Sequence, residues 1–302
     1  MNIREAAQAA QKTAILLAAC GKDVKNQALE RIARALGERK DEIIRANRED
    51  LARSERENLA APLLKRLKFD ESKIQGVIDG IRSLITLEEP VGKTLLATEL
   101  DEGLELYRVT VPIGVIGVIF ESRPDALVQI STLCLKSGNC VLLKGGSEAR
   151  ATNRVLYEII AQAGREAGLP EGWIHLLETR EDVNELLQLD EFVDLLIPRG
   201  SNEFVRYIMD HSRIPVMGHA DGICHCYVDA DADLKMAVEI VVDAKTQYVA
   251  VCNALETLLV HERIAPAFLP LLKDAMDQKD VLLVGCPRTQ AIIPVTAATE
   301  AD

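Results

Sequence analysis

"GLELYRVTVPIGVIGVIF", residues 103–120, decides the fold. It reads as two strands joined near Pro112. The second is so uniformly apolar that both of its faces must be covered, as in a parallel sheet packed between helices. Toward the C-terminus strand and helix alternate. The pattern predicts a helix at 125–136, a strand "CVLLK" at 140–144, a helix at 148–167, a strand "WIHLL" at 173–177 and a short helix at 181–188. A strand "FVDLLIP" at 192–198, a helix at 202–211, strands near 214–217 and 224–228 and a helix at 233–245 come next. Such alternation places the chain in the α/β class with a doubly wound parallel sheet. After residue 245 a second unit begins, with a strand in "ETLLVHERI" and a helix at 265–277, and little further sheet is built.

Toward the N-terminus, "LEEPVGK" marks a break at Pro90 and Gly92. Before it the chain is charged and helical. Residues 3–57 read as two or more amphipathic helices, with Ile15, Leu16 and Ala19, then Leu29, Ile32, Ala33 and Leu36, at helical spacing. "LLAAC" at 16–20 mimics the end of an export signal. The apolar run is too short for one, however, and Glu5, Gln8, Gln11 and Lys12 interrupt the residues before it.

A chain of 302 residues with 48% hydrophobic content buries a large core, expected as two domains. Its formal net charge of −12 repels nucleic-acid phosphate, so no nucleic-acid partner is expected. No apolar run is long enough to span a membrane. The seven cysteines are odd in number and scattered, which argues against a disulfide framework and for a reducing compartment such as the cytoplasm. Cys224, His225 and Cys226 lack the spacing of a zinc pair, and no second pair is found downstream, so no metal site is expected and the segment is read as entering a buried strand.

Two loops could hold a ligand. In open α/β sheets ligands lie at the carboxyl ends of strands, where helix N-termini present unpaired N–H groups to anions. "CVLLKGGSEAR" ends a strand on Lys144, and Gly145, Gly146 and Ser147 then open a helix: a point charge for phosphate, with glycines that let a ligand reach the backbone. "LLIPRGSNEF" repeats the device with Arg199, Gly200 and Ser201. The bland reading is a solvated strand end at Lys144 and a plain helix cap at Gly200–Ser201. Cys252, in "YVAVCNALETLLV", is open in the same way. A lone cysteine in apolar company is commonly a small core residue. Yet Asn253 could turn the chain and leave the sulfur exposed at a loop end.

The blocks "VPIGVIGVIFESRPDALVQISTLCLKSGNCVLLKGGSEA", "LIPRGSNEFVRYI", "HADGICHCYVDADAD" and "YVAVCNALETLLV" together resemble the γ-glutamyl phosphate reductases, a family of the aldehyde dehydrogenase superfamily. "FESRPDA" and "HADGICH" are the specific parts, and they weigh against another acyl-phosphate or acyl-thioester reductase. The resemblance implies an aldehyde dehydrogenase-like fold: a dinucleotide-binding domain over 1–245, including a helical arm at 1–90, and an incomplete α/β catalytic domain over 246–302. It also implies that the chain is C-terminally truncated, because family members continue well past the point matching Asp302.

The activity implied is NADPH-dependent reduction of L-glutamyl 5-phosphate to L-glutamate 5-semialdehyde in proline biosynthesis. Carried over, Cys252 is the nucleophile, with Asn253 beside it. The Glu by which oxidising relatives activate water is missing from "VMGHADG", where His219 or Asp221 would orient substrate. The oxyanion-hole Asn of the superfamily falls on or near Arg123, which is expected to bind the acyl phosphate; a structural ion pair with Glu121 or Asp125 is the alternative. Lys144, Gly145, Gly146, Ser147, Gly200 and Ser201 would hold the cofactor. Ser147 stands where NAD-preferring relatives place a Glu, which favours NADPH over NADH, with Glu148 as the counter-argument. A complete chain would form a homo-oligomer and could associate with a glutamate kinase. The competing reading is a noncatalytic chain that binds cofactor or assembles with a complete subunit.

Overall fold

The computed structural model describes residues 2–121, 123–178, 181–218, 222–249 and 251–300. The chain divides into two compact units, Met1–His219 and Ala220–Asp302.

The first unit opens with five helices, α1 (Ile3–Ala18), α2 (Lys22–Glu38), α3 (Lys40–Arg56), α4 (Ala61–Leu67) and α5 (Glu71–Thr86). Asn2 starts α1 with a capping box: its side chain accepts from the Glu5 N–H, and the Glu5 carboxylate accepts from the Asn2 N–H. The buried face of α1 is Ile3, Ala6, Ala7, Ala10, Thr13 and Leu17. The expected stripe through Ile15, Leu16 and Ala19 is therefore wrong, since Ile15 and Leu16 are 75% and 60% exposed. The alanines win because α1 lies on the sheet, where small side chains allow close approach, and the larger residues are left outside. In α2 the expected positions Leu29, Ile32, Ala33 and Leu36 are all buried.

The break at Pro90 and Gly92 leads into an antiparallel hairpin of β1 (Thr94–Asp101) and β2 (Leu104–Val109). Gly103, at φ +72°, makes its turn. β1 was not expected from the sequence. Every residue of both strands is exposed, so neither face shows the burial contrast that alternation reports.

Four parallel strands form the sheet, β3 (Val115–Ile119), β4 (Cys140–Lys144), β5 (Ile174–Leu177) and β6 (Leu195–Pro198), in the order β5-β4-β3-β6. β3 and β4 are buried at every residue, as their apolar runs require. Helices α6 (Pro124–Lys136), α7 (Arg150–Glu166), α8 (Glu181–Leu186) and α9 (Asn202–His211) follow the strands in turn. The expected strand at 214–217 reduces to one bridge between Val216 and Leu196, because Pro215 has no N–H to extend the ladder. The chain steps from β3 outward to β5 and then returns to β6 on the other side of β3. The strand order thus reverses between β3 and β6, and their carboxyl ends form the switch point at which doubly wound sheets bind ligands.

The second unit contains β7 (Cys224–Val228), α10 (Leu234–Thr246), β8 (Leu255–Val260), α11 (Ala265–Asp277), β9 (Val284–Gly285), α12 (Pro287–Gln290) and β10 (Thr296–Ala297). β7 pairs parallel with β8, and α10 packs on α11 and β8 around Val228, Val241, Phe268, Leu272 and Met276. Residues 222–245 therefore group with β8 and α11, C-terminal to them, whereas the sequence reading divides the chain at 245. Local sequence does not report which later strand β7 joins. β7 is also less buried than expected: Cys224 and Cys226 are half-buried, and His225 and Tyr227 are exposed.

Candidate active site

At the end of β4, Lys144 is only 7% exposed and its Nζ donates to the Gly145 carbonyl at 2.6 Å. It is not a solvated strand end. Gly145 is buried, and a Cβ there would lie 2.2 Å from Asn153 Nδ2, so a larger residue would have to displace that amide. Gly146 leads into a short 3-10 turn at Ser147–Ala149, and the Glu148 carboxylate folds back against Gly146. Ser147 is exposed.

The amide groups expected to await an anion at the start of α7 are already engaged. Asp50, fully buried on α3, accepts from Thr152 N at 2.8 Å, Thr152 Oγ1 at 2.7 Å and Ala151 N at 3.2 Å. Arg53 Nη2 donates to Asp50 at 2.6 Å and to the carbonyls of Ser147 at 3.0 Å and Glu148 at 2.9 Å. Asn47 extends the network, donating to Thr152 Oγ1 at 3.3 Å and to the Leu67 carbonyl at 2.9 Å while accepting from Phe69 N at 2.8 Å. Three residues of one arm helix thus hold the loop. Sequence reasoning missed Asn47, Asp50 and Arg53, and no local signal marks them, because their partners lie roughly a hundred positions away.

A shallow pocket opens at the carboxyl ends of β4 and β5, lined by Gly145, Gly146, Ser147, Arg150, Asn153, Leu176, Leu177 and Glu178. Asn153 is 2% exposed, and its Oδ1 makes no hydrogen bond among the described residues. Arg154 holds Glu178 with three bonds of 2.8–3.0 Å. The pocket is too small to enclose an adenosine, but its leucines, glycine backbone and one orphaned buried amide oxygen are groups of the kind that could meet one at its mouth: apolar surface for the base and a polar group for a ribose hydroxyl or amino group.

The loop after β6 has a different construction. Ser201 caps α9 by accepting from Phe204 N at 3.3 Å. The Glu121 side chain, from the end of β3, reaches to 3.6 Å from where a Gly200 Cβ would sit. Glu121 stays accessible to solvent, yet partial desolvation and the charge of Glu148 raise its carboxyl above the usual range.

Arg123 precedes α6 at the switch point and is half-buried. Among the described residues it forms no ion pair, so the expected alternative, a bond to Glu121 or Asp125, is not made. Its charge is felt at Lys73 on α5, which burial holds below its ordinary value; Asp125 opposes that shift and Arg123 adds to it. His219 and Asp221 lie outside the described residues.

In the second unit, Cys252 sits in the turn before β8 and is exposed, as is Asn253. Ala254 N donates to the Val251 carbonyl at 3.3 Å to close the turn. Gly222 runs against it: a Cβ there would lie 2.0 Å from the Cys252 carbonyl oxygen and 3.3 Å from its Cβ. The Cys224 thiol donates to the same carbonyl at 3.5 Å. Cys252 is thus an accessible thiol on a turn fixed from two sides. Cys134 and Cys140, in contrast, are buried, and burial pushes both thiols up to about 12.

A model of the Aldehyde dehydrogenase family matches residues 1–293. The chain is 72% identical to the γ-glutamyl phosphate reductase of Pelotomaculum thermopropionicum and 72% identical to that of Acetivibrio thermocellus, in each case over 100% of this chain and 70% of the relative. The crystal structure of γ-glutamyl phosphate reductase from Thermotoga maritima superposes with a TM-score of 0.93 at 38% identity, covering 100% of this chain and 73% of that one.

Proposed function

We propose, taking as premise that this chain belongs to the aldehyde dehydrogenase family and within it to the γ-glutamyl phosphate reductases, that Cys252 is its nucleophile and that the loops after β4 and β6 hold NADPH. The reaction is the reduction of L-glutamyl 5-phosphate to L-glutamate 5-semialdehyde with release of phosphate, a step of proline biosynthesis. The observation that carries the assignment of the nucleophile is the exposed thiol of Cys252 on a turn packed against Gly222.

The Cys252 sulfur attacks the acyl carbon, the carbon–oxygen bond to phosphate breaks, and phosphate leaves a thioester on the enzyme. When bound, the reduced nicotinamide supplies the hydride. The resulting thiohemiacetal on Cys252 collapses, the carbon–sulfur bond breaks, the thiol is restored and the aldehyde is released. Covalent capture divides one hard reduction into two easier steps. The N–H of Cys252, which makes no hydrogen bond among the described residues, would serve the developing oxyanion. Positions 216–222 carry no Glu that could activate water against the thioester, and His219 and Asp221 would orient the substrate. Arg123 is the group proposed for the acyl phosphate, since a guanidinium fork suits phosphate and this one forms no ion pair among the described residues. An Arg123→Ala enzyme is expected to show a raised KM for the acyl phosphate, and unchanged KM and kcat would remove Arg123 from the site.

Leu176 and Leu177 would flank the adenine, Gly145 and Gly146 would admit the ribose, and Gly200 and Ser201 at the start of α9 would face the pyrophosphate. Association into a homo-oligomer is supported by the β1–β2 hairpin, whose Leu96, Leu100, Leu104 and Leu106 are 51–58% exposed. The lability of an acyl phosphate supports association with the glutamate kinase that makes it. Seven free cysteines support a cytoplasmic location, and no helix of the described residues is long and apolar enough to cross a membrane. A noncatalytic reading is not favoured, because the relatives that match the whole chain are named as enzymes.

The test is the reverse assay on the purified chain, glutamate 5-semialdehyde with phosphate and NADP, beside Cys252→Ala. Phosphate-dependent NADPH formation lost in the variant is the expected result. Turnover that survives the substitution would refute the assignment of Cys252.

A further inference from the structure

NADPH and NADH differ only by a phosphate on the 2′ position of the adenosine ribose, so a chain that prefers NADPH needs a cation where that ribose lies. Lys144 is poorly placed for this, being buried and bonded to its neighbour's carbonyl. Glu148, folded against Gly146, would repel the phosphate. Arg150 lines the pocket itself, and a second cation reaches the loop from the helical arm.

Arg53 touches the loop directly, through Nη2 to the carbonyls of Ser147 at 3.0 Å and Glu148 at 2.9 Å. One corner of its guanidinium is therefore anchored. The other two nitrogens, Nε and Nη1, make no hydrogen bond among the described residues, and the side chain is 34% exposed. Its Asp50 partner is fully buried and also carries three donors from the start of α7, so Asp50 presents no free oxygen to a ligand. A planar fork with one fixed corner and two unused donors, beside an exposed Ser147, is pre-organised for a phosphate dianion.

We propose that Arg53, contributed by α3, binds the 2′-phosphate of the dinucleotide and so sets the preference for NADPH over NADH. The inference rests on the proposed function, in which the pocket at the ends of β4 and β5 holds the adenosine half. It gives the N-terminal helices a part in cofactor choice as well as in folding.

The experiment is equilibrium titration of the whole chain with 2′,5′-ADP and with 5′-AMP, by calorimetry, for wild type and Arg53→Gln. Wild type is expected to bind 2′,5′-ADP about tenfold or more tightly than 5′-AMP, and Arg53→Gln to lose that advantage with 5′-AMP affinity changed less than about twofold. Equal weakening of both probes would mean that Arg53 only supports the loop, and would overturn the proposal. So would retention of the ratio in Arg53→Gln together with its loss in Arg150→Ala, since Arg150 is the other arginine lining the pocket. If wild type binds neither probe, the adenosine pocket and this inference fall together. Should Arg53→Gln not fold, Arg53→Lys is taken through the same titrations. It keeps the charge without the fork and is expected to lose part of the ratio, whereas proportional loss on both probes would again overturn the proposal.

Discussion

The loops after β4 and β6 read alike in the sequence: a strand, a cation, glycine, serine and a helix. They are built differently. The first is gripped by Asn47, Asp50 and Arg53 of α3, and the amide groups of Ala151 and Thr152 at the start of α7 are taken by a buried carboxylate. The second carries its own Ser201 cap, with Glu121, two residues past β3, nearby. A helix N-terminus that already holds Asp50 has little field left for a ligand phosphate; one capped by a single hydroxyl keeps most of its own. Under the proposed function, the difference would separate two tasks, with the β4 loop facing the adenosine and the β6 loop the pyrophosphate.

Removing the two anchors should break the comparison most sharply. Asp50→Ala leaves the Arg53 charge and three α7 donors without their partner, and is expected to cost about 3–5 kcal/mol of stability. Ser201→Ala removes one cap and is expected to cost about 1 kcal/mol. Urea denaturation of the two variants measures both, and equal losses would show that the loops are held alike. The glycines give a smaller contrast. An alanine at 145 must displace Asn153 and is expected to cost about 2 kcal/mol of stability. At 200 the added methyl would lie 3.0 Å from Phe204, which can tilt away, and the cost should be under about 1 kcal/mol.

The smallest effect is electrostatic. Glu121, raised by desolvation and by Glu148, is ionised at high pH and opposes a pyrophosphate near Gly200. As pH falls through its raised value the carboxyl gains a proton, so wild-type affinity for NADH, whose pyrophosphate does not titrate there, should rise about two- to threefold. Glu121→Gln should bind at the higher affinity throughout and lose the pH dependence. A pH profile that persists in Glu121→Gln would assign the titration to another group.

Much of this was legible in the sequence where burial and local pattern coincide. The uniformly apolar runs at 115–119 and 140–144 became fully buried central strands, and the alternation around them gave the doubly wound sheet. Legibility ended where residues act through distant partners. In α1 the buried face is marked by alanines, whose small size lets the helix approach the sheet, while the more hydrophobic Ile15 and Leu16 point out. β1 was hidden because a hairpin exposed on both faces has no inside to alternate with. The stretch 222–245 reads as a continuation of the preceding α/β pattern until β7 is seen paired with β8. At the site, Lys144, Gly145, Gly200 and Ser201 could be proposed from type and position and Cys252 from the family resemblance, but nothing near Asp50 or Arg53 in the chain says that they meet residues 147–152.

The central claim, covalent capture by Cys252, is tested most directly by trapping the adduct. The chain is incubated with glutamate 5-semialdehyde and NADP in phosphate-free buffer, quenched in acid, digested and mapped by mass spectrometry. The account predicts a glutamyl thioester on the peptide containing Cys252, discharged when phosphate is added before the quench. NADP reduction without an adduct at Cys252, or with the glutamyl group on another of the seven cysteines, would contradict it.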